Sequence, residues 1–497
     1  MMNRAERLAR LLRVLAAIIS EPGLNPLELA EKAGVSERTL SRDLAQLRDL
    51  GYEVAYTSGY EVQEKLNLDG RARQKSRAHA DDALLQAVAQ AVEKAGLWRD
   101  TSPAGSLSPR RRPKRRAGAP PLVLMASGED DADFIYAAGI GVESALYIRF
   151  AAGDDLIVAS ALEIDRVRKQ SSAARKLSLS EAGYTEAGAF KSGALLAAKL
   201  LQERGLAAAR VSPRLQAGYL EALREVGLEV EIDHALFEAE RRHKSPEEAR
   251  HIREAQQAAE AAMTEIARLL SGAEIRDGLL WTDGGPMTSE WLSARASLRL
   301  GEMGYACPDM IVAGSPENAM PHYRGEGQIR AGAPVIIDIF PLSRSSHHHG
   351  DLTRTVVVGE VPEEIARMHA AVLQALDAGI ESISAGVPAR DVHHTVCQVL
   401  VDRGYGTTSP GYEGPDGGPK MNHSTGHGVG LDVHEEPGVR GPNAEPLDAG
   451  DVITIEPGLY LMGLGGVRIE DTGMVTPSGF DDFTTITRSL DPKDYLD

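Results

Sequence analysis

Five residues in the last third of the chain, Asp338, Asp351, His427, Glu456 and Glu470, have the types and settings suited to a shared pair of metal ions. The segment APVIIDIF alternates as a strand, with Ile336, Asp338 and Phe340 on one face. An Asp among such neighbours is costly to desolvate unless it is paired or metal-bound. The return segment GDLTRTVVV brings Asp351, Thr353 and Thr355 to one face, and DVITIEPGLY ends a β-branched run on Glu456. GVRIEDTGMV places Arg468 and Glu470 on one side of a further strand. Between them lies HSTGHGVGLDVHEEP, where Gly426, Gly428 and Gly430 let the backbone bend close to a ligand and present His427 and His434. Taken singly, each residue has a structural explanation, such as a salt bridge to Arg354 or Arg468, or a satisfied core histidine. Taken together, four carboxylates in strand settings repel one another without a cation. Oxygen and imidazole donors without thiolates favour Mn, Co or Zn, and bridging carboxylates suit a two-metal site.

These segments resemble the pita-bread peptidase family that contains aminopeptidase P, prolidase and methionine aminopeptidase. The resemblance covers about residues 120–490 and rests on PHYRGEG, DIF to DLTRT, TGHGVGLDVHEEP, TIEPGLY and VRIEDTG. It implies that Asp338, Asp351, His427, Glu456 and Glu470 are the ligands of two divalent ions. It also implies that His322, His423 and His434 contact substrate or shuttle protons. The expected chemistry is attack on a peptide carbonyl by a metal-activated water. Glu456 takes the water proton, His322 and His434 stabilise the intermediate or protonate the leaving nitrogen, and His423 shapes the substrate site. An accompanying N-terminal domain and the VRIEDTG ending favour peptides with proline after the scissile bond, which leaves aminopeptidase and dipeptidase both open. A related creatine-hydrolysing enzyme shares the fold without this metal set, and five intact ligands count against that activity. The two Asp are 13 residues apart here, two more than is usual in the family. An even insertion preserves strand parity, so it alters the pocket rim rather than the metal faces. The added turn carries His347, His348 and His349, which would hold a further metal, touch substrate or simply be solvated.

The elements that must position this site read as α/β. Short apolar runs LVLM, ALYIRF and DLIVAS alternate with helical AGAFKSGALLAAKLLQERG and YLEALREVG. The long helix SPEEARHIREAQQAAEAAMTEIARLL follows, with Ser245 as cap, Pro246 behind it and Glu248 completing a capping box. The front of the chain is different. Leu8, Leu11, Leu12, Leu15 and Ile18 form a helical stripe, residues 26–33 a short helix, and Ser36 caps a third helix with Leu40, Leu44 and Leu47 inward. Residues 52–62 then alternate as a hairpin turning at Ser58 and Gly59. This is a winged helix-turn-helix order, and LAEKAGVSERTLSRDLAQLRDLGYEV resembles the N-terminal domain of DeoR-type bacterial repressors. That resemblance implies that Arg38, Thr39, Ser41 and Arg42 contact double-stranded DNA from the third helix. A polar face that only meets another protein is the alternative.

The expected fold is multidomain α/β: a winged helix-turn-helix over 1–68, a helix and basic Pro/Gly-rich linker over 69–120, a prolidase/creatinase-type α/β domain over 121–243, and a pita-bread α+β catalytic domain over 244–497. Charge follows the same division. Residues 1–118 carry 21 Lys and Arg against 15 Asp and Glu, while the remainder carries 33 against 57. The front therefore suits a polyanion and the back repels one. With 42% apolar and 25% charged residues, no spanning apolar run and no secretory pattern at the start, a cytoplasmic protein without membrane contact is expected. Cys307 and Cys397 are too few for a disulfide framework or a thiolate zinc site and read as buried thiols. A homodimer would double the DNA half-sites. The rival readings are a transcription regulator whose peptidase-like part senses a peptide or amino acid, and a hydrolase of another small amide.

Overall fold

The structure is a computed structural model that describes residues 119–188 and 190–496, together with 28–30, 40, 44, 54–56 and 60–62 of the front segment. The chain divides into two compact units, 1–105 and 106–497. In the first, residues 28–30, Leu40 and Leu44 are helical, and Leu29, Ala30, Leu40 and Leu44 are buried, as an inward leucine stripe requires. Strands Val54–Tyr56 and Tyr60–Val62 pair antiparallel, with Tyr56 opposite Tyr60. The expected DNA contacts Arg38, Thr39, Ser41 and Arg42, and the basic linker to residue 118, lie outside the described residues.

The second unit begins with a six-stranded mixed sheet in the order Arg175–Ser178, Asp154–Ala159, Ala145–Ala151, Leu122–Met125, Ala208–Val211, Glu229–Ile232. Period 2 explains why the run LVLM is apolar throughout. Leu122 and Leu124 pack with Phe134 and Ile135 of helix Ala132–Ala138 on one face, and Val123 and Met125 join the core formed with helix Lys191–Gln202 on the other. Burial of both faces leaves no polar alternation in the strand.

Helix Pro246–Ser271 opens the next region. Ser245 accepts from Glu248 N at 3.2 Å, and the Glu248 carboxylate accepts from Ser245 N at 2.9 Å, so both halves of the capping box form. Its Ala258, Ala262 and Ile266 face Leu292, Ile337 and Val356. Helix Glu363–Glu381 packs likewise on helix Ala389–Asp402 and on Ile453, Ile455 and Val467. The first helix thus backs one sheet, while the second pair packs on strands of two others. One sheet orders Ile311–Gly314, Pro334–Ile339 and Leu352–Val357; another orders Glu435–Val439, Gly426–Gly428, Val452–Ile455, Asp471–Thr476 and Gly479–Asp482. Among the described residues no helix is long and apolar enough to cross a membrane. Ser245→Ala removes a cap at the start of the longest of these helices, so it should cost about 1 kcal/mol. Thermal unfolding of the full chain would register this as a lowered midpoint.

Candidate metal centre

The register of the central antiparallel pair sets the first half of the site. Asp338 lies opposite Thr353 and Ile336 opposite Thr355, so these four share one face. Asp351 precedes the second strand, where Gln256 clasps its backbone: Gln256 Oε1 accepts from Asp351 N and Nε2 donates to Asp351 O, each at 2.8 Å. Gly350 makes this clasp possible, because a Cβ there would lie 2.6 Å from Gln256 N. Glu456 leaves the end of Val452–Ile455, with its own N–H donating to Thr425 O at 2.7 Å. Glu470 sits between strands Gly465–Arg468 and Asp471–Thr476, where its Oε2 accepts from Thr353 Oγ1 at 2.8 Å.

His427 faces these carboxylates. Its Nδ1 lies 3.1 Å from Gly428 O, which requires a proton on Nδ1 and leaves the Nε2 lone pair free. Nε2 points between Asp351 Oδ2 at 3.6 Å and Glu456 Oε1 at 3.7 Å. Those spacings exceed a hydrogen bond, yet they suit ligand atoms that each sit about 2.0 to 2.2 Å from a common cation. Ligand atoms of Asp351, His427 and Glu470 lie within 4.8 Å of one another. Asp338 Oδ1 is buried without a hydrogen-bond partner, while its Oδ2 accepts from Arg468 Nη2 at 2.6 Å. An orphaned buried carboxylate oxygen and an aimed, unprotonated imidazole are what a divalent cation would satisfy.

Electrostatics point the same way. Burial, then Glu470, Asp338 and Glu456, drive the Asp351 carboxyl well above its usual range, and burial with Glu456 and Asp338 does the same to Glu470. Burial pushes Glu456 up to about 8, Asp338 adding to the shift and Arg468 opposing it. Burial brings His427 down to about 4, so it is a neutral donor at neutral pH. Cationic ligands would hold these carboxyls ionised.

The three further histidines divide by environment. His423 is enclosed: Nδ1 lies 2.7 Å from Ser424 O and Nε2 2.8 Å from Tyr460 OH, which itself accepts from Arg468 Nη1 at 3.0 Å. Burial holds it near 4, with Arg468 adding to the fall. His322 and His434 are exposed and line an 860 Å³ cavity together with Asp338, Asp351, His427, Glu456, Glu470, His423 and Arg468. The His434 ring is 4.4 Å from that of His427.

The glycines and the long turn both gain detail from the structure. Gly426 lines the cavity, and all three glycines also make room for their neighbours. A Cβ at Gly426 would meet Thr454 O, one at Gly428 would meet Glu436 O at 2.5 Å, and one at Gly430 the Glu435 carboxylate at 2.6 Å, so these glycines admit neighbouring strands and a side chain. The histidines of the long turn are not simply solvated. His348 is buried with its ring 5.3 Å from that of His251, and the half-buried His347 and His349 line an adjoining 360 Å³ cavity that shares His434 with the larger one. Arg468, Gln256, Tyr460, Arg241 and Glu435 complete the site, and apart from the strand placement of Arg468 their types carry no signal in the sequence. Cys307 and Cys397 are free and buried, as expected.

Residues 250–477 match metallopeptidase family M24, and residues 10–61 match the HTH domain. The Xaa-Pro dipeptidase of Pyrococcus horikoshii is 37% identical over 183 residues, covering 37% of this chain and 48% of that protein. The chain thus spans about half the length of the curated relatives it matches. The Xaa-Pro dipeptidase structure from Bacillus anthracis superposes with a TM-score of 0.63 at 24% identity, covering 75% of this chain and 95% of that one. The X-Pro aminopeptidase structure from Thermotoga maritima gives 0.62 at 22%, covering 75% and 97%. The fold is therefore multidomain α/β, an HTH domain ahead of a pita-bread M24 domain.

One carboxylate of the M24 domain behaves oppositely to the metal-facing ones. Burial alone would raise Glu435, but Lys244 and Arg241 overcome it and hold the carboxyl at about 2. A folded value below the unfolded one stabilises the fold above about pH 4.5, and that stability is lost as pH falls from there toward 2. The contribution is about 3 kcal/mol. Glu435→Gln should therefore lower the unfolding midpoint clearly at pH 7 and much less at pH 3; an equal deficit at both would contradict the assignment.

Proposed function

We propose that the chain is a metallopeptidase that cleaves peptides with proline after the scissile bond, and that Asp338, Asp351, His427, Glu456 and Glu470 hold two divalent ions. The observation that carries this reading is the lone pair of His427 Nε2, aimed between two buried carboxylates beside the orphaned Asp338 Oδ1. Manganese suits the oxygen-rich donor set, with cobalt or zinc as alternatives. Ions bound there would supply an activated water for attack on the scissile carbonyl. Glu456, whose burial raises its proton affinity, receives the water proton. His322 and His434, both exposed on the cavity wall, stabilise the oxyanion and pass a proton to the leaving nitrogen. His423 has both ring nitrogens engaged, so it shapes the wall and does not carry protons.

The names of the relatives, Xaa-Pro dipeptidase and X-Pro aminopeptidase, support proline specificity. Asp351→Ala and Glu470→Ala should each lose bound metal and lower turnover of an Xaa-Pro substrate by more than about a hundredfold. Metal analysis alongside a panel of Xaa-Pro and Xaa-Pro-Xaa peptides with added Mn reads both effects. Full activity in either variant would defeat the ligand assignment, and cleavage of neither peptide class would point to another small amide.

The domain division proposed is 1–68 for DNA, 69–120 as linker, 121–243 as the α/β domain and 244–497 as the catalytic domain. The HTH match and the cationic excess of the front segment support double-stranded DNA as a second partner, in a cytoplasmic homodimer, with Arg38, Thr39, Ser41 and Arg42 as contacts. A gel shift on upstream DNA should show retardation that weakens steeply with salt, and a larger or smaller shift on adding peptide would reveal sensing. Absence of retardation in low salt would remove the DNA-binding role.

A further inference from the structure

His434 is carried by a segment, residues 429–434, that belongs to neither flanking strand. Its shape is fixed by a buried ionic cluster that reaches into the α/β domain. The Glu435 carboxylate folds back to accept from Asp432 N at 3.0 Å and occupies the space beside Gly430 that a Cβ would fill. Arg241 and Lys244, which lie on either side of the turn into helix Pro246–Ser271, both bond this carboxylate, Lys244 Nζ at 3.0 Å and Arg241 through Nε at 3.2 Å and Nη2. Arg241 Nη2 also donates to Asp432 Oδ2 at 2.6 Å, so one guanidinium grips both ends of the Asp432 to Glu435 turn.

The same guanidinium extends across the domains. Arg241 Nη1 donates to Asp133 Oδ1 at 3.2 Å, in helix Ala132–Ala138, and Asp133 Oδ2 accepts from Ser212 Oγ at 2.6 Å. Two residues after Ser212, Arg214 returns to Asp432 Oδ2 at 2.7 Å. The side chains of Arg241, Lys244, Asp133 and Glu435 are all less than a tenth exposed. A buried pair of this kind is an uncertain source of stability against an apolar replacement, but it enforces one geometry, and removing one partner is costly.

We infer that Arg241 and Glu435 are positioning residues through which the α/β domain sets the His434 turn against the metal centre. This rests on the peptidase reading above. The bonds converge on the residues flanking Val433 and His434, and the His434 ring is 4.4 Å from His427, so slack in the turn displaces a proton-transfer group relative to a metal ligand. Misplacement of about 1 Å at such a group can lower turnover by about a hundredfold without weakening substrate binding.

The test compares the Mn-loaded full chain with Arg241→Ala, Arg241→Lys and Glu435→Gln on one Xaa-Pro substrate, reading kcat and KM separately with bound metal measured in each. Arg241→Ala and Glu435→Gln should lower kcat by about tenfold to a hundredfold with KM within about twofold and metal retained, and Arg241→Lys should recover part of the loss. Hydrogen exchange of the peptide containing residues 430–436 should rise in Arg241→Ala while that of 334–339 stays protected. Unchanged kcat, a loss that only tracks lost metal, or unaltered exchange of the turn would overturn the inference. Should the unaltered chain cleave no Xaa-Pro peptide, the peptidase reading fails, whereas the exchange comparison still decides whether Arg241 holds the turn.

Discussion

Mutual repulsion among Asp338, Asp351, Glu456 and Glu470, gathered around one neutral imidazole, is the constraint to which the rest of the M24 domain answers. Two like charges about 4 Å apart cost about 4 kcal/mol at the effective dielectric of such sites. Arg468 offsets part of this, bonding Asp338 and lowering the proton affinity of Asp351, Glu456 and Glu470. One cation against four carboxylates is not enough, and the raised carboxyls record the deficit. The fold therefore holds open an arrangement that it does not itself stabilise, and must fix each group from behind.

Much of that fixing is done by hydrogen bonds to the backbone and to uncharged groups. Gln256 clasps Asp351 on both its N–H and C=O, Thr353 donates to Glu470, and Thr425 O takes the Glu456 amide. Each support comes from a different element, so the metal-facing atoms are over-determined by the packing of the helices and sheets. Among the cations nearby, Arg468 and Arg354 are buried and committed, Arg241 and Lys244 stand behind the Glu435 turn, and Arg214, Arg324 and Arg440 line the cavity with exposed side chains.

How much of this was legible in the sequence depended on range. Asp338 and Thr353 could be placed on one face because a strand's period is 2 and the hairpin is local. The Ser245 capping box was legible for the same reason. Gln256 was not, since it is an ordinary residue on a helix whose bond to Asp351 spans 95 positions; Arg241 reaches Glu435 across 194. Periodicity carries no information at that separation. The glycines of TGHGVG were legible as necessary, but not the strands and side chain they also admit, because a missing Cβ says that something comes close without saying what. The long turn differs: three adjacent histidines look solvated, but tertiary contact with His251 buries His348, and His347 and His349 are half-buried, His347 facing Asp130.

The four histidines nearest the site show how burial, rather than residue type, assigns roles. His427 and His423 both have Nδ1 engaged by a backbone carbonyl and both are held near 4 by burial, so each is neutral and locked in one tautomer. They differ in what remains: the Nε2 of His427 looks at carboxylates it cannot hydrogen-bond, whereas that of His423 is closed by Tyr460. The first is suited to a cation and the second only to shape. His322 and His434 stand exposed on the cavity wall, where a side chain can exchange a proton with solvent. An exposed group gains that freedom at the expense of rigidity. A buried ionic cluster behind the His434 turn restores the rigidity without enclosing the imidazole, which is why the α/β domain belongs to the architecture of the site rather than merely adjoining it.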